Sequence, residues 1–184
     1  MSLTETPICN FNEEAKDFKL LSTEGKKISL KDIKGKNGTL VMFICNHCPY
    51  VKAVIKDISV DLTNLEKIGI RSVAIMSNDT KNYPEDSFDN MILFSKKYNF
   101  TFPYVIDDTQ EIAKKYGAVC TPDFFGYNKD LKLQYRGRFK ELKNLKPIEN
   151  KESDLFSAMK IISETGIGTN KQIPSMGCNI KWIK

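Results

Sequence analysis

The feature that constrains this chain most is Cys45-Asn46-His47-Cys48-Pro49, at the junction of two different hydrophobic patterns. The run just before it, Leu40 to Ile44, is continuously apolar, as expected of a central strand covered on both faces. From Val51 to Ile68 the apolar residues recur at helical spacing, and Gly69 ends the pattern. We therefore predict that the two cysteines lie where a buried strand turns into an amphipathic helix.

Strands and helices alternate on both sides of this junction. Ile70 to Met76 predicts a second core strand, so strand, helix and strand follow within about forty residues, one parallel crossover unit. Two hairpins are predicted, at Phe18–Leu30 and Phe124–Tyr135, from short apolar runs around turn residues. Between the hairpins we predict a helix with Phe88, Met91, Ile92 and Ser95 on one face and a strand at Pro103–Ile106. A short helix capped by Asp108 and Glu111 comes next. After the second hairpin we predict a polar loop at Phe139–Asn150 and a helix at Leu155–Ile162.

This order of elements predicts an α/β fold with a central mixed sheet flanked by helices. An N-terminal hairpin precedes the crossover unit, and a C-terminal tail, Ile173–Lys184, follows the last helix. We expect one domain over residues 1–184, because a chain of this length is typical of a single domain.

The position of the cysteine pair favours redox chemistry. A helix N-terminus presents unpaired N–H groups and a partial positive charge, which stabilise a thiolate and lower its pKa, typically to about 3.5–7.5. The two-residue spacer lets Cys45 and Cys48 close a disulfide, and Pro49 suits the first helical turn. His47 is the only histidine, and its imidazolium would favour the thiolate further. The alternative is that His47 is an exposed spacer with no such role.

A structural metal site is the main chemical alternative for the pair. One Cys-x-x-Cys is half of a zinc site, which normally needs a second pair of ligands. Cys120 and Cys178 are single and far apart in the sequence, so we predict no metal. Two buried structural cysteines are a further alternative, although the pair lies outside the apolar stripe of the helix.

The charge pattern argues against a nucleic-acid partner. The net charge of +5 comes from 28 basic and 23 acidic residues, which are mixed along the chain. Lysine dominates, and the arginines are only Arg71, Arg136 and Arg138. Because recognition of phosphates and guanines relies on arginine, we expect no nucleic-acid binding.

Cysteine usage and hydropathy bear on the compartment. The cysteine count of five is odd and does not resemble a secreted disulfide framework. The longest apolar run, Leu40–Cys45, is too short to span a membrane, and Met1–Lys19 lacks the pattern of a signal peptide. We therefore expect a cytoplasmic protein with no membrane partner.

A second motif, Ala118-Val119-Cys120-Thr121-Pro122-Asp123-Phe124, follows a helix-ending glycine and precedes the second hairpin. Together with the Cys-x-x-Cys, it resembles the thioredoxin-like fold, which places a cis-proline opposite the cysteine pair. The resemblance implies a cis bond before Pro122 and substrate contacts from Thr121 and Pro122. The alternative is an ordinary trans proline entering an edge strand, since cis is the minority isomer.

The resemblance narrows to the alkyl hydroperoxide reductase and thiol-specific antioxidant branch, and within it to a bacterial peroxiredoxin-like group. The residues that carry the resemblance to the branch are Phe18–Leu30, Leu40–Pro49 and Ala74–Asn78. Those that carry the resemblance to the group are Phe43–Val51, Asn82–Ser87, Cys120–Gly126 and Pro174–Trp182. The resemblance implies a thiol–disulfide oxidoreductase that needs no cofactor, with protein or small-molecule disulfides or peroxides as substrates and a thiol as electron donor. Cys45, taken as the more exposed cysteine, would attack the substrate disulfide, Cys48 would release the product and His47 would tune the thiolate.

Two alternatives for the function stay open. In a peroxiredoxin-type peroxidase, Cys48-Pro49 would match the reactive cysteine and its proline, and Cys48 would attack the peroxide. The threonine of such sites is replaced here by Cys45, which favours disulfide exchange, and Arg136 and Arg138 are the candidates for their arginine. The other alternative is a non-catalytic redox sensor or binding module.

Cys120 and Cys178 are candidate resolving thiols, Cys178 on the condition that the tail folds over the site. The alternative for both is a small buried apolar residue, the usual role of a free cysteine. Cys9 lies in a polar stretch and is expected to be incidental.

Overall fold

The computed structural model describes residues 3–149 and 151–184. In chain order these residues form β1 (Leu3–Glu5), β2 (Lys19–Ser22), β3 (Lys27–Ser29), β4 (Gly38–Phe43), α1 (Pro49–Lys67), β5 (Ile70–Met76), α2 (Phe88–Lys97), β6 (Tyr104–Ile106), α3 (Glu111–Tyr116), β7 (Cys120–Thr121), β8 (Asp123–Asn128), β9 (Leu133–Tyr135), β10 (Leu142–Lys143), β11 (Lys146–Pro147), α4 (Asp154–Thr165) and β12 (Met176–Asn179). Among the described helices, none is both long and apolar enough to cross a membrane.

The central sheet is mixed, with seven strands in the order β3-β2-β6-β5-β4-β8-β9. β4 lies inside it, parallel to β5 and antiparallel to β8, and every residue of β4 is buried. Its side chains alternate between two cores: Leu40 and Met42 pack with α1, α2 and α4, whereas Val41 and Phe43 pack with α3. The predicted α/β fold with helices on both faces of a mixed sheet is therefore confirmed.

Most elements lie where the hydrophobic pattern predicted them. The two hairpins are β2–β3 and β8–β9, and the crossover unit is β4, α1 and β5. The short polar segment Phe139–Asn150, predicted as a loop, instead contains the β10–β11 hairpin, which turns through Asn144 and Leu145 at positive φ. Asn150 itself lies outside the described residues.

The predicted cap of α3 is wrong. Asp107, not Asp108, accepts hydrogen bonds from the N–H groups of Ile112 and Ala113, at 3.3 and 2.9 Å. The physical reason is that Gln110, just before the helix, adopts a left-handed conformation with φ of 62°, which brings the Asp107 carboxylate over the helix end.

The predicted buried face of α2 also needs correction. Met91 is buried as expected, but the second buried side chain is Phe94 rather than Ile92 or Ser95. Phe94 packs edge-on or tilted against Tyr98, Phe100 and Tyr104, so an aromatic cluster beside β6 decides the orientation of the helix.

The tail forms a second sheet with the start of the chain. β12 pairs antiparallel with β1 on one side and with β7 on the other, and Cys178 lies opposite Thr121. No local sequence pattern predicted the pairing of β12 with β1 and β7. This pairing brings the end of the chain over the segment that contains Thr121 and Pro122.

Candidate active site

The cysteine pair lies in the turn from β4 to α1. Cys48 occupies the N-cap position of α1 in an extended conformation, and Pro49 is the first helical residue. Both Cys45 and Cys48 are 0% exposed. The expectation that Cys45 is the more exposed cysteine is therefore wrong, because Thr121 contacts both sulfurs and Cys178 of β12 also contacts that of Cys48.

The structure brings Thr121, Pro122 and Cys178 to the pair. The Thr121–Pro122 peptide bond is cis, as the resemblance implied. The Cys48 Sγ lies 3.1 Å from the carbonyl oxygen of Thr121 and 3.0 Å from the Cys178 Sγ. The Cys45 Sγ lies 3.3 Å from the hydroxyl oxygen of Thr121. Thr121 thus contacts both cysteines through different atoms.

The two thiols differ in their electrostatics. A hydrogen bond from the Cys45 thiol lowers the pKa of Cys48 to about 5, and the Cys178 thiol and the N–H of Val51 contribute further, against the effect of burial. The same bond, together with burial, raises the pKa of Cys45 well above its ordinary value. The electrostatics therefore favour the thiolate on Cys48, at the positive end of the helix, over one on Cys45.

Asp86 is a site residue that the sequence analysis missed. It is fully buried at the end of a 3-10 turn, Pro84–Asp86. One carboxylate oxygen accepts from the backbone N–H groups of Asn46 and His47, at 2.8 and 3.3 Å. The other lies 2.7 Å from the His47 Nδ1 and accepts from the Asn78 side chain at 2.8 Å. Asp86 therefore fixes the loop between the two cysteines.

A signal for Asp86 was present in the sequence. The Tyr83-Pro84 break follows β5, whose carboxyl end lies at the same sheet edge as that of the parallel neighbour β4. The turn at Tyr83–Asp86, in the connection that leaves this edge, is thus brought near the cysteine loop.

His47 is held between Asp86 and Tyr83. The hydrogen bond to Asp86 raises the pKa of His47, although burial acts against it. Its ring stacks on Tyr83, with centroids 5.7 Å apart and an angle of 10° between the planes. The His47 Nδ1, which lies 2.7 Å from Asp86, is also 3.9 Å from the Cys45 Sγ. His47 is thus no freely exposed spacer.

Asn46 holds the same loop from the other side. It is buried, its side-chain amide donates to the carbonyl oxygen of Glu85 at 3.0 Å, and its oxygen accepts from the Tyr104 hydroxyl at 2.9 Å. The residues between the cysteines are therefore fixed through both backbone and side-chain bonds, which limits the entropy cost of bringing the sulfurs together.

Cys120, Arg136 and Arg138, the other candidate site residues, make contacts elsewhere in the fold. The sulfur of Cys120 is buried and faces the carbonyl oxygen of Pro122 at 3.6 Å. Arg136 bonds to the buried carboxylate of Asp123 at 3.0 Å and to the carbonyl oxygen of Gly117 at 2.8 Å. Arg138 is bound to Asp154. Both arginines are thus engaged in structural ion pairs or hydrogen bonds.

A groove of about 380 Å³ lies beside the covered cysteines. α1 contributes Tyr50 and Val54 to its wall, and Pro122 lines it next to Thr121. The other lining residues belong to β1, the segment from 138 to 145 and the tail: Glu5, Arg138, Phe139, Lys140, Leu142, Asn144, Leu145, Ile173, Pro174, Ser175 and Met176.

Within residues 3–149 and 151–184, Cys45, His47 and Asp86 form a cluster that could offer metal ligands, since one atom of each lies within 4.8 Å of the others. However, the Asp86 oxygens and the His47 Nδ1 already take part in the hydrogen bonds that fix the loop. Metal binding would break that network, and the arrangement fits thiol chemistry better.

Comparison with known proteins yields a family match and similar structures. Residues 11–136 match the AhpC/TSA family. The thiol-disulfide oxidoreductase ResA of Bacillus thuringiensis subsp. konkukian is 31% identical over 121 residues, which are 66% of this chain and 65% of that protein. The matched region therefore spans slightly less than two thirds of this curated relative.

Solved structures extend the similarity over the full chain. An uncharacterized conserved protein from Geobacillus kaustophilus is 38% identical, with a TM-score of 0.93 over 100% of this chain and 97% of that one. The thioredoxin domain of a thiol-disulfide oxidoreductase from Bacteroides vulgatus, 16% identical, covers 73% of this chain and 89% of that one with a TM-score of 0.58. The latter likeness shows that the fold is thioredoxin-like.

Proposed function

The chain belongs to the AhpC/TSA family, and from this premise we propose that it is a thiol–disulfide oxidoreductase whose redox pair is Cys45 and Cys48. The observation that carries the proposal is the position of Cys48 at the N-terminus of α1, with Cys45 on the loop just before it. The lowered pKa of Cys48 agrees with this position. The name of the ResA relative supports the same reaction class.

In the first step the Cys48 thiolate attacks one sulfur of a substrate disulfide. A bond forms between that sulfur and Cys48, the substrate S–S bond breaks, and the other half leaves as a thiolate that takes up a proton. This assignment exchanges the roles expected from the sequence, where Cys45 was the attacking residue. The reason is the lowered pKa of Cys48 and the raised pKa of Cys45.

In the second step Cys45 attacks the Cys48 sulfur of the mixed disulfide. The Cys45–Cys48 bond forms and the second half of the substrate leaves, accepting the proton from Cys45. The substrate disulfide is thus reduced by two electrons and the protein dithiol is oxidised. When His47 is protonated, its ring, with Nδ1 3.9 Å from the Cys45 sulfur, favours the thiolate that this step needs. A thiol donor then reduces the protein again.

The groove beside the pair is the proposed substrate site. Pro122 lines it, so a substrate contact from Pro122 is part of the proposal. The Thr121 hydroxyl contacts the Cys45 sulfur and its backbone pairs with β12, and its carbonyl oxygen accepts from Cys48 only while Cys48 is protonated. Substrates are therefore disulfides, of small molecules or of protein loops, that reach Cys48 through the groove.

A peroxidase is the second candidate function, and the lowered pKa of Cys48 favours it. Here the Cys48 thiolate attacks a peroxide, its sulfur becomes a sulfenic acid, and water or an alcohol leaves. A neighbouring thiol then condenses with the sulfenic acid to form a disulfide and release water.

The two candidate functions are distinguished by the rates at which the reduced protein reacts with a peroxide and with a disulfide. Pre-reduced wild type, Cys45→Ser and Cys48→Ser are mixed with hydrogen peroxide or with oxidised glutathione, and the rate of thiol loss is measured. A disulfide oxidoreductase reacts with glutathione disulfide through Cys48 and with peroxide no faster than a free thiol. A peroxide rate far above that of a free thiol, abolished only in Cys48→Ser, contradicts the leading proposal and supports the peroxidase. Cys120→Ser serves as the matched control, because its sulfur is also buried but contacts the carbonyl oxygen of Pro122.

A further inference from the structure

A third thiol lies against Cys48. Cys178 belongs to β12, and its sulfur is 3.0 Å from the Cys48 sulfur although the residues are 130 positions apart in the sequence. Cys178 is 4% exposed, so both sulfurs are shielded from solvent. The Cys48 thiolate is thus flanked by two thiols, Cys45 on its own loop and Cys178 on the tail.

The tail is anchored on both sides of Cys178. On the N-terminal side the Ser175 hydroxyl donates to the carbonyl oxygen of Pro122 at 2.7 Å. On the C-terminal side the N–H of Lys181 donates to the Asn78 side chain at 2.9 Å. Asn78 also binds Asp86, so the tail and the cysteine loop share one hydrogen-bond network. These bonds hold Cys178 at a fixed place over the pair.

Gly177 sets how closely the tail approaches. A Cβ atom at this position would lie 2.1 Å from the carbonyl oxygen of Thr121 and 2.7 Å from its carbonyl carbon. Because both are backbone atoms, a larger residue would force β12 away from β7. The absence of a side chain at Gly177 is therefore what lets the next residue, Cys178, reach the Cys48 sulfur.

We propose that Cys178 is a second resolving thiol, which can take the place of Cys45 and release the substrate by forming a Cys48–Cys178 disulfide. The inference rests on the proposed function, since Cys48 must first carry a mixed disulfide. Cys178 loses its proton and attacks the Cys48 sulfur, the bond from Cys48 to the substrate breaks, and the departing thiolate takes up the proton. The overall reaction converts two protein thiols and one disulfide into one protein disulfide and two product thiols.

The electrostatics of Cys178 change in favour of this step. Burial and the neighbouring Cys48 thiolate raise the pKa of Cys178, whereas Lys181 lowers it. Once Cys48 is bound to the substrate it no longer carries a negative charge. The part of the increase in the pKa of Cys178 that this charge causes is then lost. Cys178 thus becomes easier to ionise at the stage at which its thiolate is needed.

The test removes Cys45 and asks what happens to the mixed disulfide. Reduced Cys45→Ser is mixed with oxidised glutathione, quenched by alkylation at successive times, and analysed by intact mass and peptide mapping. We expect glutathione to leave Cys48 as a Cys48–Cys178 disulfide appears. In the matched variant Cys45→Ser/Cys178→Ser, the glutathione adduct should persist on the order of a hundredfold longer, because no oriented thiol remains. Cys45→Ser/Cys120→Ser should behave like Cys45→Ser.

The outcomes distinguish the inference from the proposed function. Adducts that last equally long with and without Cys178 overturn the inference and leave Cys48 as the reacting thiol. No adduct or internal disulfide in any variant that contains Cys48 overturns the proposed function and the inference together. Gly177→Ala in the Cys45→Ser background keeps every remaining thiol and displaces β12. If the Cys48–Cys178 disulfide formed as fast in this variant as in Cys45→Ser alone, the close approach of Gly177 to Thr121 would have no role in the reaction. Circular dichroism checks that each variant is folded.

Discussion

The cysteine loop and the tail each bring one thiol to Cys48, by opposite means. Cys45 is three residues away and reaches Cys48 through the turn between β4 and α1. Cys178 is 130 residues away and reaches it through the pairing of β12 with β7. The first contact follows from local spacing, whereas the second exists only because the end of the chain returns to the site. Two thiols can therefore be brought to one site by local spacing or by long-range strand pairing, and only the first leaves a motif in the sequence.

The two regions also differ in what holds them. The loop is fixed by a buried charge, Asp86, which binds two of its N–H groups and His47. The tail is fixed by neutral bonds, through Ser175 and the β12 ladder, and by the absence of a side chain at Gly177. We therefore expect the loop to respond to pH and the tail to respond to packing. Four measurements test this contrast.

The largest effect is expected from Cys48→Ser, because both regions act through this sulfur. The rate of reaction with oxidised glutathione should fall by about a thousandfold or more, since the nucleophile is lost. Stopped-flow thiol assays of the reduced protein give the rate. If Cys48→Ser still reacted at close to the wild-type rate, Cys45 would be the attacking thiol. The comparison of two regions that both act through Cys48 would then be wrong.

The next effect is on stability, from Asp86→Asn. We expect the free energy of unfolding to fall by roughly 1–3 kcal/mol, because charge-assisted bonds in a buried site become neutral ones. Hydrogen bonds from His47 and Asn78 hold the pKa of Asp86 below its ordinary value despite the opposing effect of burial, and the bond to Asp86 raises the pKa of His47.

The sign of the pH dependence follows from these two shifts. The contribution of Asp86 is present above the pKa of an unfolded aspartate and is lost as the pH falls through its folded pKa. The contribution of His47 is complete below the pKa of an unfolded histidine and is lost as the pH rises through its raised pKa. Urea unfolding should therefore show a larger stability difference between wild type and Asp86→Asn at mildly acidic pH than at alkaline pH. An equal difference at both would mean that the His47–Asp86 charges do not stabilise the loop.

A third measurement compares the two thiols as donors to Cys48. The ultraviolet absorbance of the thiolate should titrate near pH 5 in wild type. Cys45→Ala should raise the pKa of Cys48 more than Cys178→Ala does, because the Cys45 thiol gives the larger of the two hydrogen-bond contributions. The reverse order would make the tail, and not the loop, the main support of the thiolate.

The smallest effect concerns the anchor of the tail. Ser175→Ala removes the hydroxyl that donates to the carbonyl oxygen of Pro122 and should cost about 1 kcal/mol of unfolding free energy. Ser163→Ala, on the exposed face of α4, is the matched control and should change stability by less than about 0.5 kcal/mol. Thermal unfolding of both variants gives the difference, and equal stabilities would show that this hydrogen bond does not hold the tail.

Much of the framework could be predicted from the sequence. The apolar run of β4, the helical spacing of α1 and the cysteine motif between them depend on neighbours within a few residues, so local patterns were sufficient. The same holds for the two hairpins, whose turn residues lie between short apolar runs. The predictions that failed locally, the Asp108 cap and the buried face of α2, failed where Gln110 and an aromatic cluster impose tertiary constraints.

The sequence by itself determined that a cysteine pair lies at the start of an amphipathic helix beside a buried strand, because backbone propensity and hydrophobic periodicity are local. Only the tertiary structure decided that Asp86 fixes the loop and that Cys178 joins the site. These depend on contacts between residues 39 to 130 positions apart. Contacts over such separations form only when the whole fold assembles around the buried sulfurs. A short sequence pattern therefore does not predict them.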